Sequence, residues 1–164
     1  MDVVIVVNFG GQYAHLISRK LRELNVRTEV VSCEKLREVV YRENVKALIL
    51  SGSPASARSG KEDAGKLNFI LDLKIPVLGI CYGHQLLANL IGGVVKRGYG
   101  EFGRTGIEIL KSDPLFKGWC RKETVWMSHR DYVAELPSIA EVLAVSERGY
   151  IAAFKLKNKP VYGV

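Results

Sequence analysis

The stretch at residues 75–92, I-P-V-L-G-I-C-Y-G-H-Q-L-L-A-N-L-I-G, constrains the fold of this chain more than any other. Pro76 opens an apolar run at residues 77–80, too short for a helix and suited to a buried parallel strand. Gly79-Ile80-Cys81-Tyr82-Gly83 interrupts that run. Leu86, Leu87, Leu90 and Ile91 then resume it at helical spacing, until Gly92-Gly93 stops it. The pattern predicts strand, tight turn and helix with a cysteine at the apex. That is the geometry of a G-x-S-x-G nucleophile elbow, with sulfur in place of oxygen. So sharp a turn leaves no room for side chains on either side of Cys81, which is why glycine is needed at Gly79 and Gly83. At a helix N-terminus the thiol is expected to lean towards thiolate, favoured by unpaired N–H groups and the helix dipole. A lone cysteine is ordinarily a buried structural residue. The strand–elbow–helix frame turns the reading towards a nucleophile.

Upstream, residues 2–8 form a β-rich run that Gly10-Gly11 turns. From Gln12, Tyr13, Leu16, Ile17, Leu21 and Leu24 share one helical face, with Arg19, Lys20, Arg22 and Glu23 opposite. A second strand at 26–32, a short helix at 34–42 and a third strand at 45–50 complete two right-handed βαβ units. Functional groups are then expected outside the carboxyl ends of the strands. There the third strand runs into Ser51-Gly52-Ser53-Pro54-Ala55-Ser56-Ala57. Small residues let backbone N–H groups approach a ligand, as an oxyanion site requires. A plain β-to-α turn reads equally well from that stretch alone. A helix at 62–73 is expected before the elbow.

Beyond Gly93 the pattern changes to short β-prone pieces at 94–95, 105–110, 124–127, 141–145, 150–154 and from 160 onward. The fold class expected is α/β: three layers around a mostly parallel central sheet, with a small, partly antiparallel second layer. No linker composition divides residues 1–164, so they form a single domain. A domain of this length buries roughly 68–70% of its unfolded surface, enough for a core without staples.

Three cysteines (Cys33, Cys81 and Cys120) at unrelated spacings argue against a disulfide framework or a metal site. No export signal precedes the first strand, and no apolar run approaches the ~20 residues needed to cross a bilayer. A cytoplasmic location without membrane association is expected. The net charge of +7 is spread along the chain, without interleaved aromatics, which favours a solvated basic surface over nucleic-acid binding.

The elbow G-I-C-Y-G-H-Q resembles the nucleophile segment of the class I (triad) glutamine amidotransferases. Four other stretches agree: N-F-G-G-Q-Y at residues 8–13, L-S-G-S-P at 50–54, V-W-M-S-H at 125–129 and K-P-V-Y-G-V at 159–164. Within that family the opening, Tyr82 and V-W-M-S-H look most like the glutaminase part of GMP synthetases. The resemblance implies that Cys81 attacks the side-chain amide of L-glutamine. It implies an oxyanion hole from the backbone N–H groups of Tyr82 and Ser53. It places Gln85 and main chain at Ser128, His129, Arg130 and Asp131 around the substrate. It further implies a synthetase (ATP pyrophosphatase) partner subunit that converts XMP to GMP. ATP and Mg²⁺ belong to that partner, with no cofactor in this chain.

The match has gaps. In the family, K-P-x-Y-G-V is followed by Q-F-H-P-E, which supplies the triad His and Glu, whereas this sequence ends at Val164. The residues present are therefore expected to be part of a longer chain that carries that motif. His15 reads as solvated and His84 as structural, and His129 is a minor candidate for the base. Ser53 and Arg130 stand where the family has glycine; if the backbone at Arg130 is left-handed, arginine there is expected to store about 1–2 kcal/mol of strain or to reshape the substrate grip. The alternatives are a non-catalytic regulatory or binding subunit of the same fold, and another α/β cysteine hydrolase. The last does not account for the S-G-S-P loop, Gln85 and M-S-H together.

Overall fold

The structure, a computed structural model, describes residues 1–57 and 65–164. The first half alternates strand and helix: β1 (Val3–Asn8), α1 (Tyr13–Glu23), β2 (Thr28–Ser32), α2 (Cys33–Val39) and β3 (Val45–Leu50). A 3₁₀ turn (Asn68–Asp72), β4 (Val77–Gly79) and α3 (Tyr82–Leu90) follow. The start of the helix expected at 62–73 lies outside the described residues; from Asn68 onward the chain is 3₁₀ rather than α.

The period-two pattern of β1 decides the layers. Val3, Ile5 and Val7 bury one face against Leu36 and Val39 of α2 and Leu86, Leu87 and Ala88 of α3. Val6, with Val4 beside it, faces the other way onto Ala14, Ile17 and Leu21 of α1. Each such fully buried aliphatic side chain contributes about 1.5–3 kcal/mol. The sheet is thus sandwiched between helices, and β1 through β4 all run parallel.

The rest is β: β5 (Val94–Ile109), β6 (Lys122–Glu135), β7 (Ala140–Ser146), β8 (Ile151–Leu156) and β9 (Val161–Gly163). These strands do not form a separate second layer. β9 returns to pair parallel with β4, and β8 pairs antiparallel with β9, giving one nine-stranded sheet in the order β2-β1-β3-β4-β9-β8-β6-β5-β7. An additional β7–β8 pairing closes β8, β6, β5 and β7 into a small barrel. The expectation of a mostly parallel sheet is corrected: four pairings are parallel and five antiparallel. The physical reason is the length of β5 and β6, 16 and 14 residues, which a hairpin can pair without a crossover. Gly98, Gly100 and Gly103 break the apolar pattern of β5 but not the strand. A register shift between Arg97 and Glu101 absorbs the interruption as a bulge.

Candidate active site

At the C-terminal end of β4 the backbone of Cys81 takes φ 53° and ψ −102°. Asn25 and Cys81 are the non-glycine residues with positive φ among those described. Such a conformation costs on the order of 1–3 kcal/mol and persists only where its surroundings over-determine it. They do so here. Ile80 N donates to Leu50 O and Cys81 N to Val164 O, both at 2.9 Å, so the elbow is stitched to the ends of β3 and β9. The flanking glycines are as tight as the sequence predicts. A Cβ at Gly83 would lie 2.3 Å from the Leu50 carbonyl oxygen, and one at Gly79 would lie 2.4 Å from the Gly83 carbonyl oxygen.

The small-residue turn after β3 lies against the elbow: a Cβ on Gly52 would be 3.9 Å from Cys81 Cβ. That contact puts the loop within reach of Cys81. The Asn8–Tyr13 stretch props it from behind. The Ser53 hydroxyl donates to Phe9 O at 2.9 Å, and a Cβ at Gly11 would collide with Gly52 O at 2.6 Å. Phe9 also stacks obliquely on Tyr82, with ring centroids 5.3 Å apart. Sequence reasoning assigned N-F-G-G no task. Its position after β1, the neighbour of β3, is the signal that would have found one.

A cavity of about 340 Å³ opens over these groups, lined by Ser53, Cys81, Tyr82, Gln85, Ser128, His129, Arg130 and Asp131. All the site residues expected from the sequence therefore meet at one place. The thiol of Cys81 approaches the Ser128 carbonyl oxygen at 3.8 Å. Gln85 is buried and donates its Nε2 to the Asp131 carbonyl at 2.7 Å, so its amide braces residues 128–131 from beneath. The Ser56 hydroxyl donates to the Asp131 carboxylate and ties the small-residue loop to β6. Arg97 and Phe102, which sequence reasoning passed over, also line the cavity. Arg97 stands directly opposite Asp131 in the β5–β6 register, a relation visible only once that hairpin is known. The condition for strain at Arg130, a left-handed backbone, is not met. The residue lies inside β6, where the backbone is extended, and neither it nor Ser53 has positive φ. Arginine fits there without conformational penalty.

The model of the family "Glutamine amidotransferase class-I" matches residues 5–164. The chain belongs to the class-I glutamine amidotransferases. It is 52% identical to the glutamine-hydrolysing GMP synthase of Pyrobaculum aerophilum, over 100% of this chain and 32% of that protein. The corresponding enzyme of Caldicellulosiruptor saccharolyticus is 41% identical over 99% of this chain and 32% of its own length. The chain thus spans about a third of the length of these curated relatives. The crystal structure of a Thermoplasma acidophilum protein, assigned as one of the subunits of a GMP synthase, superposes with a TM-score of 0.91 at 31% identity, covering all of this chain and 82% of that one.

Electrostatics in this amidotransferase domain depart from the expectation for a helix N-terminus. Burial pushes the Cys81 thiol above its ordinary value, and the Tyr82 backbone amide only partly opposes it. Desolvation of a charge at the elbow outweighs the helix terminus, so the thiol needs a base to ionise it at neutral pH. His84 is not that base. Burial in the core lowers its pKa from 6.5 to about 4. Its ring packs 5.1 Å from that of Phe154, and Nε2 donates to the Ile151 carbonyl at 3.1 Å. His15 is exposed on α1, and both ring nitrogens of His129 are engaged, by Asp131 O and Glu101.

The His84 shift has a measurable consequence. Above pH 6.5 the ring is neutral in folded and unfolded chains alike. As pH falls towards about 4, the unfolded chain takes up a proton that the folded one refuses, so stability is lost in that window. Chemical denaturation at pH 7 and pH 5 should show about 2 kcal/mol less pH-dependent loss in H84Q than in the unsubstituted protein. An equal loss in both would place the acid sensitivity elsewhere.

Proposed function

We propose that this chain is the glutaminase part of a cytoplasmic GMP synthetase. Its Cys81 attacks the side-chain amide carbon of L-glutamine, forming a C–S bond as the C–N bond breaks. The thiol proton leaves through a base and passes to the departing nitrogen, which is released as ammonia. Water then cleaves the γ-glutamyl thioester to glutamate and restores the thiol. The oxyanion formed at each step faces the backbone N–H groups of Tyr82 and Ser53. Removing one such donor typically raises the barrier by about 2.7–4 kcal/mol. Asp131 and the main chain from Ser128 to Arg130, backed by Gln85, hold the α-amino and α-carboxylate groups.

The base and its orienting carboxylate are proposed to be the His and Glu that follow K-P-x-Y-G-V in the family. One backbone pair supports this. Val164 N donates to Gly79 O at 2.9 Å while Val164 O accepts from Cys81 N, so the K-P-V-Y-G-V segment runs up against the elbow. Ammonia is consumed by an ATP- and Mg²⁺-dependent synthetase partner that aminates XMP to GMP. No cofactor is assigned to this chain. The GMP synthase names of the relatives support the choice of acceptor.

The observation that carries the reading is the convergence of the strained Cys81, the small-residue loop and the Ser128–Asp131 segment on one cavity. A glutamine-analogue electrophile added to the protein in its native assembly should label Cys81, and excess glutamine should protect it. Absence of both would favour a non-catalytic binding subunit of the same fold.

A further inference from the structure

Glu101 is almost wholly buried, 3% exposed, in a strand whose neighbour Phe102 is 62% exposed. The bulge in β5 puts it there. Between the pairs Arg97↔Asp131 and Glu101↔His129, β5 advances four residues and β6 two, with Gly100 at φ +84° inside the bulge. A Cβ on Gly100 would come 2.5 Å from the Phe102 ring and 3.0 Å from the His129 carbonyl oxygen, so the bulge packs tightly against the grip segment. Bulges beside active sites re-aim side chains in this way.

The carboxylate so aimed meets a histidine. Glu101 Oε2 lies 2.8 Å from His129 Nε2, and His129 Nδ1 lies 2.8 Å from the Asp131 carbonyl oxygen. A carbonyl can only accept, so Nδ1 carries the proton donated to Asp131 O. The Glu101 carboxylate makes the contact on the other side of the ring, at Nε2. The same Asp131 carbonyl takes the Gln85 amide from the helix side. Glu101, His129, the Asp131 carbonyl and Gln85 form one chain from β5 through β6 to α3. Glu101 Oε1 has no hydrogen-bond partner among the described residues. A buried carboxylate left half-satisfied is an arrangement that stability alone does not favour.

We propose that Glu101 is a positioning residue for glutamine binding: through the His129 ring it fixes the main chain that grips the α-groups of the substrate. The inference rests on the glutaminase reading above, and its test separates the two. The protein in its native assembly is alkylated at Cys81 with iodoacetamide, with peptide mass spectrometry as readout, over a series of glutamine concentrations. In E101L the concentration giving half-protection rises about tenfold or more, as loss of a charge-assisted hydrogen bond implies. In E101Q the amide donates to the bare Nε2 and keeps the brace, so half-protection stays within about threefold of the unsubstituted value. In E101L and E101Q alkylation without glutamine proceeds at the unsubstituted rate, which a general loosening of the site would not allow. H129L cuts the brace from the other side, shifts half-protection as E101L does, and carries the test should E101L fail to fold. A folded E101L or H129L protected at the unsubstituted concentration overturns the proposal, as does an E101Q loss equal to that of E101L. Absence of glutamine protection in the unsubstituted protein overturns the glutaminase reading, and the brace with it.

Discussion

Cys81→Ala in the intact amidotransferase is expected to lower kcat for glutamine hydrolysis by on the order of 10⁴–10⁶-fold, the range found when a covalent nucleophile is removed. That is about 5.5–8 kcal/mol of barrier. Glutamine binding should survive, because the contacts proposed for its α-groups come from Ser128–Asp131 and not from the sulfur. Calorimetric titration of the variant then gives a Kd close to the concentration at which glutamine protects the unsubstituted protein. The split between lost turnover and kept binding distinguishes a nucleophile from a structural cysteine. Alanine retains a Cβ at φ 53°, so the variant gains no stability from relief of the elbow. A C81A protein that still releases ammonia at the unsubstituted rate would place the chemistry on another residue.

Gly83→Ala should have the largest effect on folding. The new methyl would sit 2.3 Å from Leu50 O, 2.7 Å from Leu50 Cβ and 2.9 Å from Leu50 C, all on a fully buried residue of β3. Two of those atoms are backbone, so no rotamer change relieves the clash and α3 must lift off the sheet. The expected loss is about 3 kcal/mol or more by urea denaturation. Lifting α3 also carries Tyr82 N–H away from the loop that follows β3, so activity falls even in the fraction that folds. Gly52→Ala is the control. Its Cβ would meet Cys81 Cβ at 3.9 Å, an ordinary contact, and stability should change by less than about 1 kcal/mol. Equal losses at Gly83 and Gly52 would contradict the packing described here.

The parallel half of the fold is legible because each element obeys one period and one stop signal. β1 is a short apolar run, β2 alternates, α1 repeats every three or four residues, and glycines fall where the chain turns. The antiparallel half is not legible, for physical reasons found in β5. Residues 96–104, which hold Gly98, Gly100 and Gly103, fall between the pieces expected at 94–95 and 105–110, yet the strand runs through them because its hydrogen bonds are made with β6 and a bulge takes up the surplus residues. Pairing of β9 beside β4 joins segments some eighty residues apart, a closure no local pattern encodes. At the site, the resemblance to the family named residues that the structure brings around one cavity, since motif spacing survives while contacts are hidden. The upward shift of the Cys81 thiol was missed because a helix terminus can be read from sequence whereas burial cannot. The glycine of the family motif left open a left-handed backbone at Arg130, which is absent because β6 is extended there. Glu101 was passed over because only the bulge turns it inward.

The central claim is that Cys81 becomes acylated by glutamine. Rapid acid quench of the intact enzyme during turnover, followed by proteolysis and mass spectrometry, tests it directly. The peptide containing Cys81 should carry a γ-glutamyl group that hydroxylamine removes, and the peptides containing Cys33 and Cys120 should be unmodified. Steady ammonia release with Cys81 unacylated under these conditions, or the adduct on either other cysteine, would contradict the assignment.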